Sequence, residues 1–388
     1  MSRFLLAGLL GALLGIVGLM SAARADEPAA SAKSDAETYQ KVVQNGVDYL
    51  VNKGQLPDGS YGKGTGPGFA AICTTALLKH GRTPADPAVA KSLKYIETFV
   101  HPDGGVYSPD RGVNNYETSL VVVCLTAANG DGHYNDLLKN AEKYLKNIQW
   151  GSGDTTSTKP SDVNYGGAGY GREKRPDLSN TQFFLDALQA AGDGADDEAV
   201  KRAMVFVSRC QNLESEHNTT KFPAKNPDGG FYYTPAAEGG SEAGDTSDGG
   251  LRSYGSMTYA GLKSMLYAGL KPDDPRVKAA VKWIKENYTV TANPGFAGTD
   301  PNGHLGNQAG LYYYYHTFAK ALSALGEDEF EDAKGVKHNW RHELLEQLAK
   351  RQKENGSWVN SNQRWYEQDP NLVTAYALLT LSYIKPKN

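Results

Sequence analysis

Five apolar stretches of the chain stop at Gly81, Gly130, Gly192, Gly269 and Gly326, and counting back from these glycines aligns the residues able to do chemistry. Six positions back stand Thr75, Cys124, Asp186, Lys263 and Lys320; ten back, Ala71, Leu120, Gln182, Tyr259 and His316; thirteen back, Gly68, Glu117, Ser179, Ser256 and Tyr313. Offsets that differ by four and three fall on one face of a helix. The position just before the first set (Thr74, Val123, Leu185, Leu262, Ala319) is almost wholly apolar. An unpaired charge on such a helix is costly to bury, so Asp186 is expected between Lys263 and Lys320 in a paired deep layer. Glu117, Ser179, Gln182, Ser256, Tyr259, Tyr313 and His316 are expected to line a cup above it. A sixth stretch lacks the glycine; its expected contributors are Tyr376 and Thr380.

The cup residues suit proton transfer. His316 follows the run Tyr312-Tyr313-Tyr314-Tyr315. Lysines nearby would lower its pKa and keep the imidazole neutral, the form a general base needs. Tyr259 or Tyr313 could be the acid, and Arg252 and Tyr254 could hold an anionic group. Two readings stand side by side: a ligand cavity, or a hydrogen-bonded network that only fills the centre. No cofactor or metal site is expected, because the three cysteines form no C-x-x-C pair. The acidic run Glu238, Glu242, Asp245 and Asp248 lacks the spacing of a calcium loop and reads as solvated linker. Cys73, Cys124 and Cys210 are an odd set in a chain with ample core, so buried free thiols are expected; equivalent positions leave a Cys73–Cys124 bridge open.

The elements that must position these residues repeat six times. A half-polar helix comes first, as in Leu138-Lys139-Asn140-Ala141-Glu142-Lys143-Tyr144-Leu145. A glycine–aromatic turn follows: Gly59-Ser60-Tyr61, Gly105-Val106-Tyr107, Gly169-Tyr170, Gly230-Phe231-Tyr232, Gly295-Phe296 and Gly356-Ser357-Trp358. A second helix, such as Thr118 to Ala128, is apolar on nearly every face and so buried on all sides. Half-exposed helices alternating with buried ones imply two concentric layers. The expectation is an all-α protein, an α6–α6 toroid or double barrel of six helical hairpins, over residues 38–386. The longest connection, Asn212 to Arg252, holds seven glycines and could cover the cup.

Charged residues make up 22 % of the chain and the net charge is −4, with no basic cluster interleaved with aromatics, so no nucleic-acid partner is expected. Arg3, the apolar run Phe4 to Met20 and Ala23-Arg24-Ala25 have the form of a signal peptide over residues 1–25, cleaved after Ala25. A periplasmic or extracellular protein follows, with no transmembrane helix in the mature chain and a flexible leader over 26–37.

The repeats resemble those of the prenyltransferase and squalene-cyclase family. The resemblance rests on the pairs Tyr49-Leu50 and Tyr144-Leu145, on Gln149, Gln211 and Gln352, and on the turns Pro57-Asp58-Gly59, Pro102-Asp103-Gly104-Gly105 and Pro227-Asp228-Gly229-Gly230. It covers about Tyr39 to Ile384, and only Gly356-Ser357-Trp358 keeps the tryptophan of the QW repeat. The resemblance implies a terpenoid or isoprenoid cyclase or transferase, but the catalytic motifs are missing. No acidic Asp-x-Asp-Asp motif occurs, and Ala71, Val122 and Ser208 stand where an Asp-x-Cys zinc pair would need aspartate. Fold does not dictate function. The first expectation is therefore a binding protein whose cup (Glu117, Gln182, Arg252, Tyr254, Ser256 and Tyr376, with His316, Tyr259 and Tyr313 as catalytic candidates) takes a small, lipid-like or glycan ligand, or whose loops meet a protein partner. A cyclase-type enzyme and a carbohydrate-active toroid enzyme remain the alternatives.

Overall fold

The computed structural model describes residues 27–153, 159–299 and 303–386. The expected signal peptide lies outside them. Six helices form an outer layer: α1 (Glu27–Tyr49), α3 (Pro87–Glu97), α5 (Asn135–Ile148), α7 (Glu198–Arg209), α9 (Pro275–Glu286) and α11 (Trp340–Arg351). Between them in sequence run α2 (Gly66–Lys79), α4 (Asn114–Ala128), α6 (Leu178–Ala191), α8 (Gly255–Tyr267), α10 (Leu311–Leu325) and α12 (Pro370–Tyr383). Each of these packs against the next, and α12 packs back onto α2, which closes an inner ring; α1 against α11 joins the outer ends. Among the described residues the only sheet is the two-stranded pairing of β1 (Phe330–Glu331) with β2 (Lys337–His338). The expected α6–α6 toroid is the fold.

Burial follows the two-layer logic. On outer helix α5 the buried residues are Ala141, Tyr144, Leu145 and Ile148, a single stripe. On inner helix α4 Glu117 to Val122 are buried without a break. Helix α1 begins at Glu27 and so takes in most of the segment 26–37 read as leader. Ala29, Ala30, Ala32 and Ala36 give that segment high intrinsic helix propensity. No helix among the described residues is long and apolar enough to cross a membrane. Cys73, Cys124 and Cys210 are buried free thiols.

The repeat grammar has a hydrogen-bonded cause. The Gln211 Nε2 donates to Gly229 O at 2.9 Å and to Arg276 O at 2.9 Å, tying the glycine turn to the following outer helix. Gln149 makes the same pair of bonds to Gly166 O and Ala199 O. Gln352 makes it to Gly356 O and Val42 O, and so joins the last outer helix to the first. From the inner side a threonine one turn into the helix accepts from the turn: Thr118 from Val106 N, Thr181 from Ala168 N, Thr258 from Phe231 N and Thr374 from Trp358 N. A lone buried amide would cost stability; here each is satisfied locally.

Candidate functional site

The glycine turns lead into the N-termini of the inner helices, and at that end the ring opens into a cavity of about 210 Å³. All six inner helices line it: Gly68, Phe69 and Ile72 of α2, Tyr116, Glu117 and Leu120 of α4, Ser179 and Phe183 of α6, Ser256 and Met257 of α8, Tyr313 of α10, and Leu372 and Tyr376 of α12. Loops complete the rim with Arg111, Tyr170, Tyr233, Glu242, Tyr254, Trp365, Tyr366 and Glu367. Tyr116 packs edge-on against Phe183, Phe183 against Tyr313, and Tyr313 edge-on against Tyr376, so aromatic rings run around the wall. The Tyr116 and Tyr376 hydroxyls meet at 3.3 Å. Burial raises both phenols, so they stay protonated.

The register thirteen residues before the glycines holds on every helix that has one. Gly68, Glu117, Ser179, Ser256 and Tyr313 all line the cavity, as do Tyr254 and Tyr376 among the other expected site residues. The register ten back holds only in part: Leu120 reaches the wall and Gln182 the floor, but Tyr259 and His316 do not line the cup. Three residues turn a helix about 60° short of a full revolution, which carries Tyr259 and His316 from the axis to the seam with a neighbouring inner helix. Tyr259 therefore packs edge-on against Tyr314 and tilted against Phe318, and Phe318 in turn packs on Tyr288 and Trp340 between the layers. It faces away from the cup. His316 lies at the seam with α12, against Tyr376 and Tyr383, and is buried below the cavity. Burial, with Lys320 beside it, lowers its pKa to about 3 and keeps it neutral; desolvation is the larger cause, where the sequence pointed only to lysines. Gln182 sits under the floor, its Nε2 donating to the Tyr313 hydroxyl at 3.2 Å. Arg252 is exposed and donates from Nε to Asp245 O at 2.8 Å, holding its own loop together outside the cavity.

The deep layer is as the register expects. Lys263 Nζ lies 2.7 Å from Asp186 Oδ1 and Lys320 Nζ lies 2.8 Å from Asp186 Oδ2. Lys263 also donates to Gln182 Oε1. Burial alone would push the Asp186 carboxyl up, but the two lysines outweigh it and hold it below its ordinary value. Burial lowers Lys263 against the pull of the same carboxylate. The column Tyr313–Gln182–Lys263–Asp186–Lys320 thus plugs the ring under the cup, so the centre holds both a filler network below and a cavity above.

Three carboxylates line the cavity. Glu367 is 1 % exposed; its Oε1 accepts from the backbone of Tyr312 and Tyr313 at 3.0 and 2.9 Å, and its Oε2 accepts from Asn360 Nδ2 at 2.6 Å. It caps the start of α10, where a negative charge is stabilised. Glu242 pairs with Arg364, which also stacks over Trp365 at 4.4 Å. Glu117 is 2 % exposed, accepts from Ser108 N at 2.7 Å through Oε2, and turns Oε1 toward Arg111. Burial pushes Glu117 and Glu367 up to about 7.

Sequence reasoning missed Phe69, Phe183, Tyr170, Tyr233, Trp365, Tyr366 and Glu367. Of the helical ones, Phe183 stands a turn after Ser179 and Phe69 directly after Gly68, and both look like ordinary core. The loop ones have no periodicity to reveal them; the pair Trp365-Tyr366 just before α12 was the available signal. The long loop does reach the mouth, through Tyr233 and Glu242. Its Asn218, part of a glycosylation-like triplet, is buried with Nδ2 bonded to Gln211 O at 2.7 Å, so the triplet serves the loop's own fold.

Residues 67–234 match the squalene-hopene cyclase C-terminal domain. A probable squalene–hopene cyclase of Sinorhizobium fredii is 27 % identical over 190 residues, which are 46 % of this chain and 28 % of that protein. The squalene–hopene cyclase of Bradyrhizobium diazoefficiens is 28 % identical over 225 residues, 54 % of this chain and 32 % of that one. The chain thus spans less than a third of the length of either curated relative. Among solved structures, the type II terpene cyclase MstE from Scytonema superposes with a TM-score of 0.54 at 12 % identity, over 91 % of this chain and 99 % of that one. A complex of MstE with its substrate geranylgeranyl dihydroxybenzoate gives 0.54 at 11 % identity, with the same coverage. These structures share the fold, and the squalene-cyclase resemblance read from the repeats is borne out.

Proposed function

We propose that this squalene-cyclase-like toroid binds a mainly apolar, isoprenoid-like ligand in its aromatic cup. The observation that carries this is the wall. Phe69, Ile72, Leu120, Phe183, Met257, Leu372 and the tyrosines at 116, 313 and 376 surround a cavity closed below by paired charges. Apolar pockets with a few placed polar groups are the usual form of a small-molecule site. The likeness to squalene–hopene cyclases supports a lipid-like ligand over a glycan.

A cyclisation enzyme is the weaker reading. Protonating an alkene needs a strong acid, and Glu117 is a poor one: raised from 4.5 to about 7, it is weaker than an ordinary glutamic acid by roughly 3 kcal/mol at 1.36 kcal/mol per pKa unit. Holding a ligand asks no such strength of it.

Titration with a C20 prenyl alcohol, followed by native mass spectrometry and calorimetry, is expected to show one bound molecule per chain. Tyr376→Ala removes wall from the cup and is expected to weaken that binding at least tenfold while the chain stays folded. Undiminished binding by the variant would place the ligand elsewhere and end this reading. Export belongs to the same proposal and rests on Arg3, the Phe4 to Met20 run and Ala23-Arg24-Ala25. N-terminal sequencing of the protein from its host is expected to start at Asp26; a start at Met1 or Ser2 would refute it.

A further inference from the structure

We infer that the ligand enters the cup with a neutral hydroxyl end, held between Glu117 and Arg111. This inference rests on the cup being the ligand site and adds which chemical end the site recognises.

Of the three carboxylates on the wall, two are already engaged. Glu367 has both oxygens engaged by Tyr312, Tyr313 and Asn360, and Glu242 is taken by Arg364. Glu117 is different. Its Oε2 accepts from Ser108 N and the Gly68 amide lies near enough to the carboxylate to lower its pKa, but no well-aligned hydrogen bond reaches its buried Oε1. Arg111 Nε stands 3.2 Å from that oxygen, close enough to attract it yet misaligned, and Nε too is buried without a hydrogen-bond partner. The Arg111 Nη1 is anchored elsewhere, donating to Gly64 O at 3.0 Å. One acceptor and one donor are therefore left side by side on the cavity wall. Leaving such groups unmade is costly when they are buried.

The space around them is kept open from α2. A Cβ at Gly66 would run into Glu117 Oε1, and one at Gly68 would come within 3.1 Å of Glu117 Cγ. A hydroxyl fits this pair because it is donor and acceptor at once: its O–H donates to Glu117 Oε1 and its oxygen accepts from Arg111 Nε. A diphosphate or carboxylate end fits poorly. It offers no donor to Glu117, and the three lining carboxylates, Glu117, Glu242 and Glu367, outnumber the one lining arginine, Arg111.

The test compares three ligands of one chain length: a C20 prenyl alcohol, the matching hydrocarbon and the matching diphosphate. Binding is measured by calorimetry at pH 8, above the value near which Glu117 titrates. The alcohol is expected to bind about tenfold more tightly than either other ligand. Glu117→Gln exchanges a charged acceptor for a neutral one and is expected to cost the alcohol about tenfold, or about 1.4 kcal/mol, with the hydrocarbon unchanged. If Glu117→Gln does not fold, Arg111→Gln on the half-exposed loop reads the same contact from its other partner, with the same expected loss. Equal affinity for alcohol and hydrocarbon, a preference for the diphosphate, or no effect of either variant on the alcohol overturns the hydroxyl assignment. In those cases a loss of binding in Tyr376→Ala would still support the cup. Failure of all three ligands to bind the wild-type chain overturns both readings.

Discussion

Asp186→Ala is expected to lower the free energy of unfolding by about 3–5 kcal/mol, the usual cost of removing one partner from a buried ion pair. The reason is what the change leaves behind. Lys263 has a side chain with no solvent exposure and Lys320 one that is 12 % exposed, and both point their ammonium groups at this one carboxylate. Without it, two cations remain in the middle of the inner ring with only Gln182 to accept from one of them. A midpoint of denaturation in guanidinium equal to that of the wild type would show that the triad contributes nothing. The pH dependence has a definite sign. The Asp186 carboxyl lies below its ordinary value of 3.8 in the folded chain. Its contribution is therefore fully present above that value and is lost as the pH falls through the lower, folded one. In the Asp186→Ala variant that loss at low pH is expected to be absent.

Gly166→Ala is expected to cost about 3 kcal/mol, from two separable causes. Gly166 has φ +85°, a left-handed conformation that costs an ordinary residue about 1–2 kcal/mol. A Cβ there would also run into the carbonyl of Arg202 on α7, and overpacking of this kind costs about 1–3 kcal/mol. Gly326→Ala separates the two. It has φ +82° but nothing within 4 Å of the added carbon, so only the conformational cost of about 1–2 kcal/mol is expected. Equal thermal midpoints for the two variants would mean that the close approach of turn and outer helix does not matter. Gly59, Gly104, Gly229 and Gly356 abut outer-helix carbonyls in the same way, so the result bears on the whole repeat.

Much of the fold was legible in the sequence because it is written by periodicity. The stripe on α5 and the unbroken burial of α4 each follow from which residue types recur at helical spacing. Glycine turns marked the hairpins, though in the third the turn that meets the outer helix is at Gly166, three residues before the expected Gly169. Fixed offsets from the glycines then placed Asp186 between two lysines, and put Glu117, Ser256 and Tyr313 on the cup.

The direction of each side chain at the ring's seams belonged to the tertiary structure. Tyr259 and Gln182 share an offset with His316, yet the first faces the space between layers, the second braces Tyr313 and the third touches α12. A sequence gives a position on a helix surface; it does not give which neighbour that edge meets once six helices have closed into a ring. Trp365, Tyr366 and Glu367 reach the cavity by a loop without a period, so nothing in the spacing could point them inward. Packing decided a further matter, which carboxylate keeps a free oxygen. Glu367 and Glu117 are both glutamates beside tyrosines, but only the first lies where the amides of α10 can satisfy it. Helix pattern is local and survives in the sequence. The partners of a buried polar atom come from distant parts of the chain, and they exist only after those parts have met.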